Sequence, residues 1–421
     1  MSLTQGTRRA LLRRSGINWL LRDEFTDTRA AGAVNGTPAA PGGTGSVLLN
    51  TRVATDTDGD ALSIGGGTAN LANPNSAWGN PGLWYNATLA RTSSPLLIAK
   101  VITSNPWTEN FMIGWDGNQV DLLTPALWFR TAAIGVVPFD EDAVTGPAGV
   151  SVATATVYWV ALQVTAVGCY YFIYGGAYTT PKLMYFSKYA GFAALYPAAS
   201  DFDATHSFTS VRVPETATLV PYLAYDTFTR GDGAIGSTEV GGPEAQALSS
   251  LAWTAQSGTW TVATNKAVAT AAGIATLPTS GTGNLWMRTT ITTPAAGVTP
   301  GGLILRWTDA NNYWYVRITP GTAGDDLDLL KVVGGVPSAS LAAADMDWVA
   351  NTAYEIGVTC DSNNFWKVMV DDAEVLSYVV PDAFNVSASV VGLIDEGDSN
   401  MKFDDVHVLD RDQSWIRPFF R

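Results

Sequence analysis

The sequence states its opening twice. Asp23-Glu24-Phe25-Thr26 returns 203 residues later as Asp226-Thr227-Phe228-Thr229, and each opening has a matching close. The first copy ends on Phe208-Thr209-Ser210-Val211 and the second on Phe403-Asp404-Asp405-Val406, so opening Phe to closing Phe is 183 residues in one and 175 in the other. Between the ends, Asn110-Phe111-Met112-Ile113 answers Asn312-Tyr313-Trp314-Tyr315, and Val120-Asp121-Leu122-Leu123 answers Leu327-Asp328-Leu329-Leu330. Solenoid units run about 20 to 50 residues, so a period this long predicts a duplicated domain. The expected layout is a basic arm over 1–22, a first domain over 23–213, a linker over 214–221, a second domain over 222–410 and a tail over 411–421.

Within each copy the apolar residues come in runs of four to eight bounded by Gly, Pro, Asn or Asp, which is the signature of strands. Such runs include Leu96 to Ile102, Phe111 to Trp115 and Tyr170 to Tyr174, then Gly302 to Trp307, Tyr313 to Ile318 and Phe403 to Leu409. Helix signals are confined to Leu341 to Met346 and the amphipathic, Arg-paired stretch 1–22. With no long amphipathic segment to cover a parallel sheet, each copy is expected to be two packed antiparallel sheets. The fold class is therefore all-β, two tandem antiparallel β-sandwiches with short basic terminal arms.

Charge is distributed by segment. Residues 1–22 carry +5, 23–220 carry −7, 221–410 carry −14 and 411–421 carry +2. Acidic bodies repel nucleic acid and anionic membrane surfaces, so nucleic acid is not an expected partner. The basic ends suit docking on acidic neighbours, other copies of the chain included. Arg8, Arg9, Arg13 and Arg14 at one end, and Trp415, Phe419 and Phe420 among the arginines at the other, are the candidate assembly residues, since Arg and aromatics favour interface cores.

The N-terminus lacks the apolar core of a secretory signal, and no signal peptide is expected. The charge-free run Val157 to Tyr178 is long enough for a membrane span. Its counterpart, Ala353 to Asp371, carries Glu355, Asp361 and Lys367, so both read better as two strands around a turn. The two cysteines, Cys169 and Cys360, fall one per copy at non-equivalent places, which predicts buried thiols and no disulfide framework.

FTRGDGAIGSTEVGG with WTAQSGTWTV, then GGLILRWTDANNYWYVRI, WVANTAYEIGVTCDSNNFWKVMVDDAEV and KFDDVHV, resembles the concanavalin A-like jelly-roll superfamily in its laminin-G-like and carbohydrate-binding relatives. The resemblance covers the second copy nearly end to end and the first more loosely. Similar tandem domains are familiar in bacteriophage virion and tail proteins, which implies a particle-borne structural or adhesive protein. It also implies a possible calcium tying first strand to last, through Asp226 with Asp404 or Asp405. The first copy keeps Asp23 but has Thr209 and Ser210 in place of the two Asp.

Strand alternation nominates a binding face. Arg317 marks the outward side of its strand, so Tyr313 and Tyr315 share it, and by the same logic Arg306, Glu355 and Lys367 point outward. Aromatic and ionic groups on one sheet face suit sugar binding; cross-strand pairs that merely stabilise the sheet are the alternative. Asp56, Asp58 and Asp60 have the spacing of a calcium loop, but Ala61 and Gly67 stand where an EF-hand needs Gly and an acid, so an acidic turn competes. No cofactor is otherwise expected.

Catalytic signatures are weak. Glu396-Gly397-Asp398 has the spacing of a glycosidase pair but lies in a turn-like stretch, and Asp326 with Asp328 lacks a Glu. With only His206 and His407, and no Gly-x-Ser-x-Gly, a serine hydrolase is not expected. The sequence thus predicts a non-enzymatic virion or tail-type protein working by assembly and glycan recognition. A bacterial glycan-binding module, a jelly-roll glycosidase and a purely architectural protein are the alternatives.

Overall fold

In a computed structural model, the chain is described over residues 19–412, apart from 31–32, 41–50, 56–61, 74–81, 87, 105–109, 118–122, 124, 131–134, 140–149, 167, 188–191, 202–203, 216–221, 241–248, 295–298, 322–326, 362–364 and 398–400. It divides into two compact units near residue 218. All described sheet pairings are antiparallel, and a 3-10 turn at Arg91–Ser93 is the one helical element among the described residues. The structure is all-β in the jelly-roll manner, with two sheets per unit.

The two units share the order of their principal strands, and unit 2 adds Gly233–Ala234 beyond Trp260–Val262. In unit 1 one sheet runs Tyr178–Ser187, Cys169–Gly175, Val157–Val164, Leu96–Ile102, Ala204–Pro214, Thr68–Asn73, Leu62–Gly65, with Trp19–Asp23 also pairing to Ala204–Pro214. Unit 2 repeats it as Ala373–Val379, Phe365–Val370, Ala353–Cys360, Leu285–Thr292, Lys402–Asp410, Ala267–Ala269, Trp260–Val262, with Tyr222–Asp226 again on the closing strand. The second sheets match equally, Gly135–Phe139, Ala126–Arg130, Phe111–Asp116, Ala194–Asp201, Gly82–Tyr85, Arg52–Thr55 against Leu327–Val333, Asn312–Ile318, Gly301–Asp309, Val390–Asp395, Gly273–Leu277, Thr254–Ser257.

This order corrects part of the expected correspondence. The ends hold, since Asp23 pairs with Val211 as Asp226 pairs with Val406. The middle does not: Phe111–Asp116 is equivalent to Gly301–Asp309, so Asn110 does not answer Asn312, and Leu327–Val333 is equivalent to Gly135–Phe139. Short apolar strands differ too little in composition for their neighbours to be read from sequence. Two helix expectations also fall. Ala342–Ala344 is a strand beside Leu327–Val333, and Trp19 to Arg22, placed in the arm, are strand with Trp19, Leu20 and Leu21 buried. Arg8, Arg9, Arg13, Arg14, Trp415, Phe419 and Phe420 lie outside the described residues, as do Asp56, Asp58 and Asp60.

The repeated Asp-x-Phe has a physical explanation. Phe25 and Phe228 both take left-handed backbone, at φ 51° and 52°, which is costly for a residue with a Cβ. The preceding Asp side chain holds it by accepting the Phe amide, 3.2 Å for Asp23 and 2.9 Å for Asp226. The turn drives each ring into the core, where Phe25 packs edge-on to Phe208, the closing Phe of its own copy, and Phe228 lies against Trp253. Burying each aromatic side chain contributes about 2 to 3 kcal/mol. The stretch Val157 to Tyr178 is, as expected, strands Val157–Val164 and Cys169–Gly175 about a turn, and no helix among the described residues is long and apolar enough to cross a membrane. Cys169 and Cys360 are buried thiols, and burial pushes the Cys360 thiol up.

Candidate functional site

The six proposed sugar contacts separate onto two sheets. Glu355 and Lys367 lie on one sheet of unit 2, Arg306, Tyr313, Tyr315 and Arg317 on the other. Residues of both sheets meet in one core that includes Ile356, Val358, Val368, Leu303, Val316 and Leu329. Outward side chains of the two sheets therefore point in opposite directions and cannot form one site.

Arg306 does not point outward at all. Pairing of Gly301–Asp309 shifts beyond Leu305, and Arg306 has φ 51°, so the period-two rule breaks there. Its guanidinium is fully buried over the Trp366 ring, 5.3 Å from the centroid, and donates to the Gly283 and Asp361 carbonyls. The shift also turns Trp307 outward, onto Tyr313, with ring centroids 5.0 Å apart.

Glu355 and Lys367 are committed to ion pairs on their own sheet. Arg288 pairs with Glu355 and with Asp372, the latter at 3.0 Å, while Lys367 Nζ is 3.1 Å from Glu374. Burial pulls the Lys367 ammonium down from its ordinary value, against the opposing pull of Glu374.

The proposed calcium ligands are likewise engaged. Both Asp226 oxygens take Arg230, at 2.7 and 3.1 Å, and Oδ2 also accepts the Trp253 indole N–H at 2.7 Å. A carboxylate neutralised by a guanidinium offers little to a cation. Asp404 lies 3.5 Å from Lys266, and Asp405 sits in left-handed backbone at the closing-strand bulge. Asp404 is nonetheless held above its usual value by burial and then by Asp405; Tyr225 beside them is pushed up to about 12 by burial, Asp405 and Glu239. Among the described residues no three His, Cys, Asp or Glu side chains come together as metal ligands.

The remaining three do gather. Tyr313 and Tyr315 face outward as alternation predicts, but they are buried, with Ile304, Trp307, Leu330, Val332 and Ile394, in a second apolar cluster on the outer side of the sheet. Their ring faces are therefore not open stacking platforms. Arg317 pairs across the strands with Asp328, Nη2 to Oδ2 at 2.7 Å. Gly302, on the neighbouring strand, has φ 150°, and a Cβ there would lie 2.0 Å from the Val316 carbonyl and 3.3 Å from the Tyr315 ring. Glycine thus lets Tyr315 reach across its strand toward Glu396, just beyond strand Val390–Asp395. Burial first, and the Glu396 charge second, hold the Tyr315 phenol well above its usual range, and a hydrogen bond to the Glu396 side chain adds to the shift.

Glu396 escaped the binding-face reading because it follows the strand and carries no alternation signal. It lines a cleft of about 280 Å³ with Ser257, Gly273, Ile274, Ile394 and Asp395. The Glu396 amide is fixed to the Pro300 carbonyl at 2.9 Å, and its side chain is exposed. Asp395 is buried, its Oδ1 accepting the Gly397 amide at 2.9 Å, and Ser257 Oγ accepts the Ile274 amide at 3.1 Å. Apolar walls from Ile274 and Ile394 with a few polar groups at the mouth are the makings of a small-ligand site.

No family model matches the chain, and no curated protein matches it. Among solved structures it is similar to a carbohydrate-binding module of Bacillus subtilis, at 22% identity and TM-score 0.33 over 38% of this chain and 95% of the module. It is similar to galectin LEC-6 of Caenorhabditis elegans, at 13% identity and TM-score 0.26 over 32% of this chain and 88% of the galectin. A structure described with endo-acting O-glycanases of the human gut microbiota is similar at 11% identity and TM-score 0.33, over 45% of this chain and 98% of its own. At such scores these likenesses carry no argument about function.

Proposed function

We propose that the protein is a non-enzymatic, particle-borne structural and adhesion protein of the virion or tail type, whose second jelly roll recognises a glycan. The observation that carries the binding role is the cleft at Glu396. Its volume of about 280 Å³ accommodates a small ligand, its aliphatic walls receive the C–H face of a sugar, and Glu396 at the mouth accepts hydroxyls. A single such contact is weak. Many copies on one particle make it effective through avidity, and the basic, aromatic-rich ends of the sequence supply the chemistry for assembly.

Two features speak against turnover. A glycosidase sets two carboxyls facing each other across the scissile bond, about 5 to 10 Å apart. Asp395 ends a strand, is buried and holds the Gly397 amide, so among the described residues lining the cleft Glu396 has no second exposed carboxyl; Asp398 lies outside the described residues. His407 packs edge-on between Tyr222 and Tyr225, at centroid distances of 5.3 and 4.9 Å.

The test is a glycan array with the full chain, followed by calorimetry on hits and a reducing-end assay. Glu396→Gln is expected to weaken binding at least tenfold and no reducing ends are expected. Glycan release that disappears with Glu396→Gln would make the protein a hydrolase.

A further inference from the structure

We propose that the open sheet edge at Thr254–Ser257 in unit 2 receives the basic arm of a second copy of the chain, whose Leu3-Thr4-Gln5-Gly6-Thr7 adds as one more strand. This rests on the assembly half of the reading above and names the surface that takes the arm. The two units differ at one equivalent edge. In unit 1 the outermost strand, Arg52–Thr55, is closed by residues 35–37: the Arg52 amide donates to the Thr37 carbonyl at 2.8 Å, the Gly36 amide to the Arg52 carbonyl at 2.9 Å, and the Ala54 amide to Asn35 Oδ1 at 3.2 Å. In unit 2 the corresponding strand is Thr254–Ser257, and its first rung is closed alike, the Trp253 amide donating to the Gly236 carbonyl at 3.0 Å. There the cover stops. Backbone groups alternate sides along a strand, so the Ala255 amide also faces away from Gly273–Leu277, yet it donates to no loop or side chain among the described residues. Thr254, Ala255, Gln256 and Ser257 are all exposed.

An uncovered edge takes another strand unless charge or proline blocks it, and these four residues hold neither. A register shift past Ala255 keeps the open run short. It is too short for two rigid sheets to bury the roughly 1,000 Å² that a stable interface needs, but it matches a five-residue strand on a tether. Charge selects the occupant. Residues 1–18 hold Arg8, Arg9, Arg13 and Arg14 and no acid, whereas residues 221–410 carry −14, so two copies of unit 2 repel while the arm is attracted. Leu3 to Thr7 is the uncharged, proline-free run ahead of those arginines. Residues 8–18 reach about 36 Å when extended, enough to cross to a neighbouring molecule. Main-chain bonds then supply the affinity, as in other strand additions. One arm and one edge per chain make the contact head-to-tail, which builds a ring or a filament.

The experiment compares the full chain with one lacking residues 2–18, which keeps the strand Trp19–Asp23, by light scattering. The shortened chain is then titrated with a peptide of residues 1–18 and followed by amide hydrogen exchange. Expected are a multimer for the full chain, a monomer for the shortened one, and peptide binding that weakens with salt and slows exchange at Ala255 at least tenfold. Gln5→Pro in the peptide keeps every charge and should cost at least tenfold in affinity, as should Ala255→Pro in the chain with circular dichroism unchanged. Should Ala255→Pro disturb the fold, the exchange footprint on the unmodified chain decides. Equal binding of the Gln5→Pro peptide, or protection elsewhere than 254–257, overturns the inference. A multimer that survives the deletion also overturns it and leaves the assembly reading standing. A full chain that stays monomeric at every concentration removes both.

Discussion

The two units solve one electrostatic problem with different residues. In unit 1 the buried Asp23 accepts Arg52, at 2.6 Å from each of Nε and Nη2, and the Tyr85 hydroxyl at 3.1 Å, while Asp27 takes the rest of the same guanidinium at 2.9 and 3.0 Å. In unit 2 the acid at Asp27's place is itself the cation, Arg230, four residues after Asp226. Trp253 now donates from 27 residues downstream, where unit 1 places Arg52 at 29. The Asp and the capped Phe stay; the positive charge has moved from a strand to a loop. A buried carboxylate demands a cation and its hydrogen bonds, but not a cation from any one position.

The outer faces diverge further. Arg317 opposite Asp328 in unit 2 corresponds in register to Trp128 opposite Val137 in unit 1. The large and small residues are exchanged too: Tyr315 and Gly302 stand where unit 1 has Ala126 and Met112. Unit 2 thereby has an aromatic hydroxyl near a cleft. The two units agree in the Asp-capped Phe that packs inward at their openings and differ in their outward chemistry.

The sharpest way to break this comparison is to remove each hub acid. Asp23→Ala leaves the fully buried Arg52 with Asp27 as its remaining carboxylate, and is expected to cost about 3 to 5 kcal/mol. Asp226→Ala frees an Arg230 whose side chain is already 25% exposed, so about 1 to 3 kcal/mol is expected. Urea unfolding followed through each unit measures both, and equal losses would refute the asymmetry. A finer test transplants one solution into the other unit. Arg52→Trp alone should be severe, and Arg52→Trp with Asp27→Arg should recover about 1 kcal/mol or more through coupling.

Acid gives the smallest of the three effects. The Arg52 hydrogen bond holds Asp27 at about 2 against an ordinary 3.8. Glu24 is lowered as well, because Arg212 and Arg22 together outweigh the burial that pushes it up. Both favour the ionised form when folded, so their contribution is present above about pH 4 and is lost as pH falls toward about 2. In unit 2, Lys331 lowers Asp382 as Arg52 lowers Asp27, but burial raises Asp404 and Asp410, so the ionisation of these two opposes folding and acid relieves it. The unfolding midpoint of unit 1 should therefore fall more steeply with acid than that of unit 2, by a modest amount because Asp27 is partly solvated. Asp27→Asn should flatten the difference in calorimetric scans.

Much of this was legible in the chain. The Asp-x-Phe openings could be read because one local turn enforces them, and the strands because turn residues punctuate them. Alternation places Arg306 outward because it presumes an unbroken strand, and the bulge that inverts it has no residue signature. Alternation puts Tyr313 and Tyr315 on the outer face, where burial by Ile304, Trp307 and Ile394 is tertiary and leaves no mark in the strand itself. Glu396 was visible only as half of a catalytic spacing, since a residue's place beside a cleft depends on strands distant in sequence.

Cys169 lies on the strand Cys169–Gly175 and Cys360 ends Ala353–Cys360, one sealed sulfur in each half of a duplicated chain. Neither meets a thiol reagent while its half is closed, and each does once that half opens. The protein thus carries two internal clocks: the rates at which a maleimide claims the two sulfurs report how often each jelly roll breathes.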